Sequence, residues 1–225
     1  MDVLVLRPCY KGRCCMDTYE KYFNLEEIKI ILDNVNEIYK DSMLACHGRA
    51  HTMSVVDVTE YILKSLSYNS RIIEFGKIAA LLHDIGRIAG RANHAEKSAA
   101  LAQIILDKSD FSTEERSMII QAIKDHSKAE NISSAIGAAI YIADKIDITK
   151  SRILPLGIID PWHKNLLEIK GVKINISSNE ITVDYITTDA FSKELLLSEY
   201  DKKIEMIVKA AAYLGCSCEV RFRSK

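Results

Sequence analysis

Ala79-Ala-Leu-Leu-His-Asp-Ile-Gly-Arg87 places two strong metal-ligand types, His83 and Asp84, where helical periodicity predicts a buried apolar face. Four more residues share that oddity or stand near it. His83 follows Gly76, Ala79 and Ala80 along one stripe, and His94 shares a face with Ser98, Leu101 and Ile105. His126 follows Ile119 and Ile123, Asp144 follows Ile136 and Ile140, and His51 stands at the start of its own helix. A buried lone carboxylate typically costs several kcal/mol unless it meets a partner or a cation. Two inward aspartates and four histidines therefore need one another. One arrangement satisfies them together: imidazole nitrogens and carboxylate oxygens around a divalent cation of the zinc, iron, manganese or nickel kind.

The elements that must hold these residues are mostly helices. The prolines are Pro8, Pro155 and Pro161, so nothing between Cys9 and Leu154 forces a helix to break, and that stretch is predicted to be nearly all helix. Leu25, Ile28, Ile31, Leu32, Val35 and Ile38 predict an amphipathic helix ending near His47-Gly48. Val55, Val58, Ile62 and Leu66 mark the next, and a central helix is expected from about Arg71 to Ile88. Ser112-Thr-Glu-Glu115 reads as a capping box, and Ser133 or Ser134 as the cap of the helix that carries Asp144.

After Pro155 the pattern changes. Lys173 to Ser177 and Glu180 to Ile186 predict a hairpin about Ser177-Ser-Asn179, Phe191 to Leu214 a helix stopped by Gly215, and Cys218 to Arg223 a short strand. The expected architecture is mainly α, a helical domain over 1–160 followed by a small β-β-α-β appendage over 161–225.

The whole ordered set, with Arg49-Ala-His51 at its head and Ala143-Asp144-Lys145 at its close, resembles the HD-domain metal-dependent phosphohydrolase superfamily. Ala122-Ile-Lys-Asp-His126-Ser and Ile142-Ala-Asp-Lys-Ile146 look like its bacterial branch that hydrolyses dinucleoside tetraphosphates. The resemblance implies an HD helical bundle and two divalent ions, of Fe, Mn, Zn, Ni or Mg. His51, His83, Asp84 and Asp144 would hold one ion, and Asp84 would bridge to a second held by His94 and His126. Neighbours on a helix diverge by about 100°, which a bridging Asp84 accommodates. The implied reaction is hydrolysis of a phosphoester or phosphoanhydride of a nucleotide or related small molecule by a hydroxide on the ions. Asp84, Arg87 and Lys145 would act at the reacting phosphate, and Arg87, Lys145 and Arg152 would bind it.

Blander readings stand beside these. Arg87 could be a helix-end cation, Lys145 could pair with Asp84, and Lys145 and Arg152 could be plain surface charges. His47, one turn before His51, reads as a helix-end residue because Gly48 interrupts any helix joining them. His163 reads as surface or lid material. Tyr68, Asp125 and Asp147 lie within sequence reach of the cluster without a distinguishing signal. Two other functional classes fit the same residues: a nucleotide-binding sensor without turnover, and a diiron oxygenase.

Composition sets the outer limits. Hydrophobic residues make up 48% and charged residues 27% of the 225-residue chain, as in ordinary soluble domains. A net charge of −1 offers no bulk attraction to nucleic acid or an anionic membrane. With no long apolar run and no signal-peptide pattern in Met1 to Tyr10, a cytoplasmic location is expected, and a homodimer is compatible as the commonest oligomer. Cys9, Cys14, Cys15, Cys46, Cys216 and Cys218 read as reduced thiols, and a metal site joining the first trio to Cys216-x-Cys218 matches no zinc spacing.

Overall fold

The computed structural model describes residues 18–39, 46–127, 130, 132–149, 152–153 and 160–224. The early cysteine trio lies outside them. Within them the chain is mostly helical with a small C-terminal sheet, as its periodicity predicts.

Two short lead-in helices, α1 (Tyr19–Phe23) and α2 (Glu26–Tyr39), precede a bundle of α3 (Arg49–Ser65), α4 (Ser70–Leu82), α5 (His94–Leu106), α6 (Thr113–Asp125) and α7 (Ala135–Ile146). The amphipathic helix expected to run to His47-Gly48 is helical to Tyr39, and its expected end at 40–45 lies outside the described residues. Its inward stripe, Ile28, Leu32 and Val35, is buried as the spacing requires.

Helix α4 is the axis of the bundle. Asn69 opens it, its side chain accepting from Ile72 N at 3.0 Å, and Phe75, Gly76 and Ile78 to Leu82 are all buried. Gly76 lets α3 come close, since a Cβ there would stand 2.4 Å from Leu63 Cδ1. Helix α7 is buried over almost its whole length, its Ala and Gly residues admitting neighbours on several sides. Ser134, of the two candidate caps, opens it by accepting from Gly137 N at 3.0 Å. The Ser112–Glu115 capping box is present on α6.

The bundle departs from expectation at one place. Helix α4 stops at Leu82, and Ile85–Ala89 is a 3-10 turn instead of further α-helix. The apolar run through Ile85 and Ile88 hides this stop, because 3-10 and α turns bury similar residues.

Beyond the bundle come α8 (Pro161–Leu166), the hairpin β1 (Ile169–Ser177) and β2 (Glu180–Thr187), α9 (Lys193–Tyr213) and β3 (Ser217–Ser224). Strand β1 pairs antiparallel with β2 across Ser178-Asn179, with Ser178 at φ 54°, and β3 lies parallel to β2 on its other side. The long crossover a parallel pair requires is α9, which Gly215 ends at φ 74°. Ile181, Val183 and Tyr185 of β2 join Leu196, Tyr200 and Ile207 of α9 in a core that also takes in Ile62 of α3 and Ile142 of α7. The appendage and the bundle thus share apolar packing, and α9 lies along α7. No helix among the described residues is long and apolar enough to cross a membrane.

Candidate metal centre and the cavity above it

Helix termini bring the cluster together. His51 sits in the first turn of α3, His94 begins α5, His126 caps the end of α6 and Asp144 lies in the last turn of α7. His83 is the C-cap of α4, and Asp84, at φ −114° and ψ 7°, has already left the helix. The angular divergence of helical neighbours therefore does not apply to this pair. Their side chains converge, with His83 Nε2 at 3.5 Å from Asp84 Oδ2.

Gly86 fixes the next element. A Cβ at this position would stand 2.3 Å from Ser98 N and 2.7 Å from His94 O, so only glycine allows the 3-10 turn to meet the backbone of α5. Its amide donates to Ser98 Oγ at 2.9 Å. Asn93, in the left-handed conformation at φ 53°, then turns the chain so that His94 opens α5 against Asp84.

Three histidines are oriented by a bond from the nitrogen facing away from the centre. His51 Nδ1 donates to Asp147 Oδ2 at 2.8 Å, His83 Nδ1 to Ala80 O at 2.7 Å, and His126 Nδ1 to Ile123 O at 2.5 Å. Each ring thereby presents an unprotonated Nε2 inward, the tautomer a metal requires.

The inward atoms fall into overlapping groups able to hold a metal ion: His51, His83 and Asp144; Asp84, His94 and His126; and His47, His51 and Asp84. Two ligand atoms about 2.1 Å from one cation and at tetrahedral or octahedral angles lie about 3.0–3.4 Å apart. His51 Nε2 stands 3.2 Å from Asp144 Oδ1, and His94 Nε2 stands 3.1 Å from His126 Nε2. Asp84 divides its oxygens. Oδ1 faces His94 at 3.5 Å and His126 at 3.6 Å, while Oδ2 faces His83.

The donor set fits a divalent ion on independent grounds. His51 Nε2, His83 Nε2 and Asp84 Oδ1 are buried with no hydrogen-bond partner among the described residues. Three such orphans would be costly in a structural core, and all three are good ligand atoms. The histidines are also held ready. Burial pushes His83 down to about 3 and His94 to about 4, against the opposing pull of Asp84. Burial would raise Asp84 and Asp144, but neighbouring His83 and the His47 hydrogen bond for the first, and Lys145 for the second, hold both well below the usual carboxylate range.

His47 departs from its helix-end reading. It is buried, and its Nδ1 donates to Asp84 Oδ2 at 2.7 Å. Gly48 is the N-cap of α3, so no helix joins His47 to His51, as expected, but Asn36 of α2 accepts from His47 N at 2.9 Å and ties His47 to α2 beside the cluster. The four-residue step to His51 was the available signal.

Asp147 and Asp125, alike in sequence, separate here. Asp147 orients His51, whereas Asp125 Oδ2 accepts from Ser133 N at 2.9 Å and Ser133 Oγ at 3.0 Å, tying the end of α6 to the approach of α7. Tyr68 is half-buried and packs against the core shared by β2 and α9.

A cavity of about 380 Å³ opens above the cluster. Arg87, Lys145 and Arg152, the three cations singled out by sequence, all line it, as do Asp144 and His94. Arg87 Nε lies 2.7 Å from Asp84 Oδ2. Lys145 donates to Asp144 instead of Asp84. Arg152 is buried, so neither it nor Arg87 is a plain surface charge. The far wall comes from the appendage: Trp162 and His163 of α8, Tyr200 and Lys203 of α9. His163 is thus helical and half-buried, with Asp160 accepting from its amide at 2.8 Å. Arg91, Trp162, Tyr200 and Lys203 carried no sequence signal for this position.

Residues 49–149 match the family model of the HD domain. Among solved structures, one similar chain is a predicted HD superfamily hydrolase from an uncultured Thermotogales bacterium. It is 26% identical over 56% of this chain and 68% of that one, with a TM-score of 0.45. No curated protein matches.

Proposed function

We propose that this chain, whose residues 49–149 match the HD-domain model, is a metal-dependent phosphohydrolase that hydrolyses a phosphoester or phosphoanhydride of a nucleotide or related small molecule. The observation that carries this reading is the set of three buried, unpartnered ligand atoms, His51 Nε2, His83 Nε2 and Asp84 Oδ1, clustered with His94 and Asp144, which themselves line a cavity rich in cations.

His51, His83 and Asp144 would hold one divalent ion, and Asp84, His94 and His126 would hold a second. Divalent ions in that position supply an activated water and neutralise the phosphoryl oxygens. The chain does the rest. Arg87 and Lys145, each already beside a carboxylate, offer N–H donors to the phosphoryl oxygens without adding net charge to the floor. Arg152, beyond the end of α7, lines the same cavity and offers further donors to the phosphate groups of the substrate. Water adds to phosphorus as the P–O bond to the leaving group breaks, and one proton of that water passes to the leaving oxygen.

Elemental analysis of the purified protein, followed by a phosphate-release screen over phosphomonoesters, phosphodiesters and nucleotides with Mn, Fe, Zn, Ni and Mg, tests the reading. Metal binding with turnover is the expected result. Nucleotide binding without release under every metal would replace it with a sensor, and oxygen consumption by the iron form without phosphate release with an oxygenase.

A further inference from the structure

Charge is unevenly compensated along the cavity. At its floor each cation has a carboxylate: Arg87 pairs with Asp84, and Lys145 with Asp144. Toward α9 the pairing runs out. Arg152 is nine-tenths buried, yet its Nε and Nη1 have no hydrogen-bond partner among the described residues. Asp147 Oδ2 stands 3.9 Å from Nη1 and is already committed to His51. Lys203, on the opposite wall, has no carboxylate within 4.0 Å among the described residues, and its ammonium lies 4.6 Å over the Tyr200 ring.

A buried guanidinium with open donors is an unmet cost, since each unpaired charged donor forfeits more than a neutral one. A second cation across the same cavity adds repulsion. Lys203 is exposed at the cavity wall, and partial desolvation, then the charges of Lys145, Arg91 and Arg152 against the opposing Asp144, pull its pKa below the ordinary lysine value. These groups would be relieved together by an anion placed between them. The floor offers no such anion, because its carboxylates are already engaged.

Resting on the hydrolase reading above, we propose that Lys203 of α9 and Arg152 form a second anion subsite, so that the preferred substrate carries two linked phosphates, one at the floor and one held between α9 and the loop after α7. Lys203 lies outside the segment 49–149 that the family model matches. The appendage therefore selects the substrate while the bundle supplies the chemistry. The tethering of α9 supports this placement: Tyr200 Oη donates to Lys145 O, linking the helix that carries Lys203 to the residue beside Asp144. The cavity, at about 380 Å³, lies within the range of about 300–1,000 Å³ typical of small-molecule sites and exceeds the needs of one orthophosphate.

The test compares wild type, Lys203→Met and Lys209→Met, the last an exposed lysine on the same helix that does not line the cavity. Calorimetric titration of the metal-loaded protein with pyrophosphate and with orthophosphate gives one readout, and the ratio of kcat/KM for ADP over AMP gives the other. Lys203→Met is expected to weaken pyrophosphate binding about tenfold and to lower the ADP-over-AMP ratio by a similar factor, as befits one lost charge-assisted contact. Lys209→Met should match wild type. If Lys203→Met leaves both quantities within twofold of wild type, the subsite is wrong while the hydrolase reading stands. If no substrate is turned over but pyrophosphate binding still depends on Lys203, the hydrolase reading falls and the subsite survives.

Discussion

Asp147 Oδ2 accepts the Nδ1 proton of His51 at 2.8 Å, across 96 residues of sequence and with both side chains buried. The bond sets the ring so that Nε2 faces Asp144 Oδ1 at 3.2 Å. Partners of this kind fix a ligand's tautomer and direction, and losing one typically costs about 10–100-fold in metal affinity or activity. Asp147→Asn keeps the shape but removes the charge and lets the amide present a donor to Nδ1. Metal affinity, followed by competition with a chelator, should fall by that factor while the thermal midpoint of the metal-free protein changes little. Unaltered affinity would reduce Asp147 to a neighbour of the cluster.

Asp84 lies where most of the histidines of the centre meet. It faces His47, His83, His94, His126 and Arg87 at once. Asp84→Ala leaves these without a carboxylate, so bound metal should drop below half of the wild-type content and phosphate release by about a thousandfold or more, a loss of about 4 kcal/mol in transition-state stabilisation. Elemental analysis and the release assay on the same preparation check it. Full metal content together with full turnover would remove Asp84 from the centre.

Gly86 provides a test of positioning by backbone contact alone. An added methyl would collide with Ser98 N and His94 O, both main-chain atoms that cannot rotate aside. Gly86→Ala should push α5 outward, cost about 1–3 kcal/mol of stability as overpacking does, and weaken the His94 side of the cluster more than the His51 side. A chemical denaturation midpoint and metal stoichiometry measure the two effects. A variant as stable as wild type, with full metal, would show that α5 can yield.

Much of this was legible in the chain because the costs are local. His51, His83, Asp84, His94, His126 and Asp144 stand out since an ionisable group on an apolar stripe is conspicuous by itself. The hairpin about Ser178-Asn179 and the Ser112 capping box are equally local. What escaped depends on tertiary contact. Nothing near His47 tells that Asn36 will hold its amide, and the apolar run past Leu82 conceals the change from α to 3-10 geometry. Lys203 and Tyr200 look like ordinary members of an amphipathic helix until α9 packs along α7 and faces them into the cavity.

Acidity should act on the metal-free fold with a definite sign. Burial holds His47 at about 4, His83 at about 3 and His94 at about 4, each below the ordinary value of 6.5. Folded, these rings stay neutral; unfolded, they take up protons as pH falls through 6.5. The unfolded state therefore binds more protons between about 6.5 and 4, and stability declines across that window, by up to about 1.4 kcal/mol per pH unit for each histidine. Above about 7 the contribution is complete and the curve is flat. Thermal midpoints of chelator-treated protein from pH 8 to 4.5 should show this plateau and descent, and His47→Gln should make the descent shallower by about one histidine's share. A midpoint that held constant down to pH 5 would mean that the rings are open to solvent and already charged.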